Sequence, residues 1–318
     1  MDGSMIRLMA VVGAFMIAFS AIFVRLADVS PTTAAFFRVA YAFPILLVVA
    51  LLSARDVRRP WPKRLRGMAA GLIMATGFVL WNHAIGFIGA GLSTVLGNTQ
   101  VVFVGLGAWW VYNERPRTVA FVAIPVVLSG ALFISGLGGE GAYGSAPLLG
   151  VLFGLANALF YASFLLVFRS VSETGRATAW ALVDVTAGAS VGALALGLLT
   201  DPNFSLAPHW PAHGWLFALA LGPQIIGWML ISQAMPRLLS LETSAILLLQ
   251  PLGTVVLGRL IFQELLSPLQ WAGVGLILVG VTLLNVRLRR QVEPDLTQET
   301  AAVRETVRET GSSLPTKP

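Results

Sequence analysis

Four amide side chains fall where amides are costly. Gln100, Asn157, Gln224 and Gln250 each lie midway along a long apolar run. An amide buried in hydrocarbon without a partner is strongly unfavourable, so each must meet another polar group, water or a bound molecule. Each amide offers donors and an acceptor, and a ring of them can hold a carboxylate and an ammonium together without any fixed charge. A zwitterion suits that chemistry. On the same runs lie Trp81, Tyr161, Phe164 and Trp228, whose faces can stack an aromatic side chain and attract a cation. The plainer alternatives are interhelical hydrogen bonds, worth about 0.6 kcal/mol each, and ordinary aromatic packing or an interfacial belt. Trp109 and Trp110, near the end of their run, fit the belt.

His83 is the one histidine inside an apolar run, next to Asn82. It could hydrogen-bond a carboxylate or titrate near neutral pH, though a structural hydrogen bond is the commoner fate. His209 and His213 have i, i+4 spacing, but Pro208 and Pro211 put them in a loop, which argues against a metal pair. Pro251 directly follows Gln250 and should kink its helix, freeing the Leu247 carbonyl; Pro223 after Gly222 suggests a similar break. Both are candidate hinges. Arg38, Asp184 and Arg259 are the charges most nearly within apolar runs. Arg259 reads as snorkelling toward the surface or toward Glu264. Arg38 and Asp184 start from opposite faces and are not expected to pair. Glu114 and Glu264 end two runs and read as anchors or gates, held by the positive ends of nearby helices.

These residues need a scaffold that crosses a bilayer. The chain has 318 residues, of which 56% are hydrophobic and only 11% charged, with a mean hydropathy of +0.80. That is too little polar surface to coat a water-soluble particle. No cysteine is present, which excludes disulfides, thiolate metal sites and a cysteine nucleophile. Apolar runs long enough to cross the hydrocarbon occur near 7–26, 32–52, 65–86, 91–112, 118–136, 148–168, 177–199, 214–233, 241–262 and 268–286. The first lacks a cleavage site and is followed at once by another, so it reads as a helix and not a removable signal. The expected fold is an all-α polytopic membrane protein of ten transmembrane helices.

The net charge of +6 is explained by placement. Fifteen of the 21 bases, from Arg7 and the Arg55–Arg66 cluster to Arg287–Arg290, fall on one side of that topology, while Asp28, Glu140, Asp201 and Glu264 fall on the other. Positively charged loops resist translocation, so both termini are expected in the cytoplasm. No nucleic-acid partner is needed to explain the bases. Beyond Arg290 the apolar runs stop, and 291–318 reads as a disordered cytoplasmic tail.

Shifting the chain by 150 residues aligns Gly77–Phe133 with Gly227–Leu283 without a gap, so that Gln100 meets Gln250 and Glu114 meets Glu264. A weaker shift of 144 relates Ala14 to Ala158 and Arg25 to Arg169. Five spans per half is an odd number, so residues 1–145 and 146–290 would form two inverted five-helix repeats, a transporter's architecture with a site near the midplane. Small residues (Gly67 with Gly71, Gly150 with Gly154, Gly273 with Gly275 and Gly280) should permit close helix approach and would also allow a homodimer.

The paired endings Val111–Pro116 (VYNERP) and Ile261–Pro268 (IFQELLSP), on ten spans in two halves, resemble the drug/metabolite transporter superfamily, EamA type, over residues 7–290. Within it, the Trp81–Asn82–His83 segment and the aromatic-rich spans are most similar to the YddG-type exporters of aromatic amino acids. The resemblance implies a bacterial inner-membrane metabolite exporter with a central cavity lined by spans 1, 3, 4, 6, 8 and 9. The resulting expectation is export of amino acids, aromatic or otherwise hydrophobic, by alternating access, with a small-molecule substrate and lipid as partners and no cofactor or metal. The alternatives are an exporter of other drugs or metabolites, a channel, or an intramembrane enzyme using His83 with a serine such as Ser163. The small multidrug branch relies on an acid in span 1, and residues 7–26 contain none.

Overall fold

The computed structural model describes residues 3–54, 57–113, 118–136, 141–171, 177–234, 238 and 240–289. Within these the chain is helical: α1 (Gly3–Ala27), α2 (Pro31–Ser53), α3 (Trp61–Gly97), α4 (Gln100–Tyr112), α5 (Thr118–Ile134), α6 (Pro147–Val171), α7 (Ala177–Thr200), α8 (Ala212–Leu219), α9 (Trp228–Ala234), α10 (Ser240–Phe262) and α11 (Pro268–Arg289). A π-helical stretch, Ala220–Gly227, joins α8 to α9. Six helices are long and apolar enough to cross a membrane, and four further apolar helices are shorter. This is a multi-pass membrane protein. Glu114, Glu140 and the 291–318 tail lie outside the described residues.

Local sequence explains where helices start, bend and break. Ser30 accepts a hydrogen bond from the Thr33 amide with Pro31 at the first helical position, so α2 begins there. Within α3, Gly89 adopts φ 82° and ψ 174°, a backbone state that favours glycine. The chain doubles back there: a methyl group at Gly97 would lie 3.9 Å from Nε1 of Trp81, which is equally far from Gly89 on the other side. α3 therefore joins the third expected span to the start of the fourth. The fourth breaks again between Gly97 and Gln100, where the Asn98 amide donates to the Thr94 carbonyl and the Thr99 hydroxyl to the Leu96 carbonyl. Such side-chain bonds compete with the helical ladder. The break expected at Pro223 takes the form of the π stretch, and α10 runs on through Pro251 as a helix.

Glycine sets the tightest contacts. A methyl group on Gly71 in α3 would overlap the Val185 carbonyl oxygen of α7, and one on Gly188 would overlap the Met68 carbonyl oxygen in return. Gly130 in α5 and Gly273 in α11 face each other, each needing about 2.7 Å or less between an added methyl and the other's carbonyl oxygen. Gly150 and Gly154 of α6 receive Ile88 and Leu96 of α3. Gly275 differs from the sequence expectation and opens onto free space.

Ion pairs and hydrogen bonds sort the helix ends into two groups. At one end of the bundle Arg7 near the start of α1 meets Glu242 in the first turn of α10 at 2.8 Å, and Arg59 and Arg64 before and at the start of α3 meet Asp184 of α7. At the other, Arg25 closing α1 meets Glu264 after α10, and Thr32 at the start of α2 donates to Asp201 after α7. α1 thus runs parallel to α10. Asp184 does not pair with Arg38, as expected.

Candidate functional site

Arg38 occupies the centre of the expected constellation. It lies about 11 Å along α2 from Pro31 by helical rise, and it is only 5% exposed. Its Nε–H donates to Oε1 of Gln224 at 2.7 Å, and its guanidinium lies 4.0 Å from the Phe78 ring centre and 5.6 Å from that of Trp81. Tyr161 of α6 packs against the buried cluster that contains Phe78. Tyr161 in turn packs edge-on to Phe164 at 5.4 Å. Of the expected residues, Trp81 and Gln224 therefore contact this cation, and Tyr161 and Phe164 pack in the same buried cluster as Phe78.

Local structure explains the convergence. Phe78 and Trp81 are three apart on α3 and share a face. Gln224 projects from the π stretch after Pro223, where widening of the helix re-aims side chains relative to an α-helical register. The ion pairs among the described residues engage Arg7, Arg25, Arg59 and Arg64, whereas Arg38 has none. Stacking on aromatic faces contributes about 0.5–2 kcal/mol toward burying such a cation. The remaining guanidinium donors suit a carboxylate's fork geometry.

The other expected residues are distributed around this centre. Asn157 is buried on α6, its amide about 3.4 Å from methyl groups added at Gly77 or Gly97, so the two glycines make room for it. Asn82 turns away: its Nδ2 donates to the Pro31 carbonyl at 2.8 Å, and its buried Oδ1 has no partner. His83 stacks on Phe153 at 5.1 Å. Gln100 is half-buried at the first position of α4, and Gln250 is half-buried on α10, its carbonyl accepting from the Thr254 hydroxyl. Trp228 is 41% exposed at the start of α9.

A second polar assembly closes one end of the bundle. The buried Glu264 carboxylate accepts the amides of Ala90 at 2.7 Å and Gly91 at 3.0 Å, the first residues after the reversal at Gly89, and also pairs with Arg25. This realises the expected capture of Glu264 by a helix N-terminus. The partner is Arg25, however, while Arg259 is exposed. Arg25 also reaches Tyr143 at 3.3 Å and stacks on Phe262. Beside it lies a cavity of about 520 Å³ whose walls include Arg25, Asp28, Asn82, Tyr143 and Ser145. Of the ten expected site residues, this cavity receives Asn82.

Sequence reasoning left Arg38, Phe78, Arg25 and Tyr143 outside the candidate list. The signal for Arg38 was present, since it is the only charge in the run from Pro31 to Ser53. Nothing comparable marked Phe78, one of 18 phenylalanines. His213 meets the Tyr41 hydroxyl at 2.6 Å, and among the described residues no group of three metal-ligating side chains forms.

The comparisons with known proteins agree with a transport scaffold. The chain is 24% identical over 294 residues to the uncharacterized transporter YwfM of Bacillus subtilis, covering 92% of this chain and 97% of that protein. It is 25% identical over 260 residues to the uncharacterized transporter sll1319 of Synechocystis, covering 76% of each. It shares its fold with a solved crystal structure at a TM-score of 0.58 and 16% identity, over 91% of this chain and 100% of the other. The EamA-like transporter family matches residues 4–136 and 148–286, which embrace the Arg38 cluster together with Arg25, Ala90, Gly91 and Glu264, and the chain belongs to that family.

Proposed function

We propose that this transporter exports amino acids, aromatic or otherwise hydrophobic, across the bacterial inner membrane by alternating access. Its ten spans form two inverted halves, 1–145 and 146–290, with both termini cytoplasmic. The carrying observation is the Arg38 cluster, a buried cation with no acidic partner among the described residues, set between aromatic faces and an amide. A substrate carboxylate would meet the guanidinium, and an apolar or aromatic side chain would lie against Trp81, Tyr161 and Phe164. The sequence alone had favoured recognition by neutral amides. A fixed positive charge makes a carboxylate the better-matched ligand.

Packing supports the paired halves. α1 packs against α8, the π stretch and α9 as α6 packs against α3; α1 meets α10 as α6 meets α4; and α2–α7 and α5–α11 pair across the bundle. These contacts come in the mated pairs that a pseudo-twofold axis would relate. The parallel course of α1 and α10, joined at both ends by Arg7–Glu242 and Arg25–Glu264, fits an odd number of crossings between them, as the ten-span topology requires.

Proteoliposome flux tests this reading. Labelled phenylalanine and tryptophan should move saturably, and tryptamine, which lacks the carboxylate, should not. Arg38→Gln should raise the KM for tryptophan about 10- to 100-fold, the equivalent of one lost charge-assisted contact. Tryptamine moving as well as tryptophan would overturn the role of Arg38. Threonine moving while both aromatics are refused would overturn the substrate class.

A further inference from the structure

A second basic site lies at the opposite end of the bundle from the Glu264 assembly, apart from the transport path proposed above. Val57, Arg58, Arg59, Arg64, Trp180 and Asp184 line a cavity of about 280 Å³. It sits where the end of α2, the start of α3, the end of α6 and the first turns of α7 meet. Arg59 is the buried wall, its side chain 2% exposed. Its Nη1 pairs with Asp184 and its Nη2 donates to the Val171 carbonyl at 2.8 Å. Its Nε is buried without any hydrogen-bond partner.

Among the described residues the charges do not balance. Arg64 also reaches Asp184, at 3.2 Å, so one carboxylate serves two guanidiniums, and Arg58 adds a third to the lining. Its described residues thus carry an excess of cation, with an unused N–H donor on an enclosed side chain. Asp184 is two turns inside α7, while Arg58 is exposed and Arg64 is 44% exposed. The cavity therefore leads from the surface to the level where a helix enters the membrane. Trp61, stacked under Arg64 at 5.5 Å, and Trp180, donating to the Ala54 carbonyl at 2.9 Å, are amphipathic rings of the kind that settle at headgroup depth.

We propose that this cavity binds the phosphate of an anionic phospholipid headgroup. A phosphodiester offers acceptors for Arg58, Arg64 and the free Arg59 Nε–H and offsets the surplus charge, while its acyl chains lie along the apolar flank of α2 and α7. Basic pockets between membrane helices bind acidic headgroups by this chemistry. Inorganic phosphate shares the oxyanion but lacks the chains, which separates the two sources.

The test uses the full chain in detergent, titrated with phosphatidylglycerol, phosphatidylcholine or inorganic phosphate, with bound lipid counted by native mass spectrometry and unfolding followed by tryptophan fluorescence. Phosphatidylglycerol should bind and raise the unfolding temperature, and phosphatidylcholine should not. Arg58→Gln, at an exposed side chain, should weaken phosphatidylglycerol binding roughly fivefold, and R58Q/R64Q about thirtyfold. Protection by inorganic phosphate equal to that by phosphatidylglycerol would overturn the lipid as ligand. Equal binding of both lipids, or unchanged phosphatidylglycerol affinity in both variants, would overturn the site.

Discussion

Replacing Glu264 by glutamine preserves shape while removing one charge, and the structure fixes what that charge supports. Both carboxylate oxygens accept backbone amides, from Ala90 at 2.7 Å and Gly91 at 3.0 Å, and one also pairs with Arg25. The Glu264 side chain is fully buried, whereas Arg25 is 32% exposed. A glutamine can accept through its single oxygen, but its NH2 then faces the second amide donor-to-donor. Breaking a buried ion pair costs about 3–5 kcal/mol; water at Arg25 recovers part of this, leaving about 2–4 kcal/mol. Using about 2–4 °C per kcal/mol for a large domain, the unfolding temperature should fall by roughly 4–16 °C. Arg25→Gln should cost less, about 1 kcal/mol, because the helix N-terminus still holds the carboxylate. Thermal unfolding of the purified protein, followed by tryptophan fluorescence, reads both variants and their combination. The double variant should lose less than the sum, since the two residues contact each other. If Glu264→Gln unfolded within about 1 °C of the parent, the carboxylate would not be holding the Gly89 reversal to α1, and the reasoning would fail.

Two further outcomes follow from packing and charge. Gly71→Ala puts a methyl into the backbone of α7 at Val185 and should cost about 3 kcal/mol or abolish folding, whereas Gly275→Ala, facing open space, should be neutral or stabilising; the folded fraction by size-exclusion chromatography distinguishes them. Asp201 follows α7, and although partial burial raises its pKa, the hydrogen bonds its carboxylate accepts from the Thr32 hydroxyl and the Asn203 amide lower it on balance. Because the native state then binds fewer protons than the unfolded state, this stabilisation is complete above the ordinary carboxylate pKa and lost as pH falls through the lower folded value. Asp201→Asn should therefore be less stable than the parent near neutral pH, with the gap closing below about pH 4; equal gaps at both pH values in a melting series would refute it.

Much of the scaffold was legible in the chain. The expected run at 32–52 is the helix Pro31–Ser53, and that at 241–262 is Ser240–Phe262, because a fixed rise per residue and a fixed hydrocarbon thickness leave little freedom of length. The fourth apolar run reads as one span of 91–112, yet it divides at Gly97–Gln100, because Asn98 and Thr99 take up backbone carbonyls through their side chains. That competition is a local effect, visible in the residue types but too weak to read against so apolar a background. The glycine contacts followed residue size, and Gly275 departed from the pattern because nothing packs opposite it.

The sequence by itself determined that the chain belongs in a bilayer, roughly where its apolar runs lie along the chain, and which residues had to find polar partners. Tertiary structure alone decided who those partners are: Arg38 with Gln224, Arg25 with Glu264, and Arg59 with Asp184, each separated by more than a hundred residues. The physical reason is the solvent. In water a helix shows its buried face as an apolar stripe, but in lipid the outer face is as apolar as the inner one, so periodicity cannot say which way a side chain turns. Only the packing of one helix on another, fixed by glycines such as Gly71 and Gly130, rotates a lone charge toward its partner.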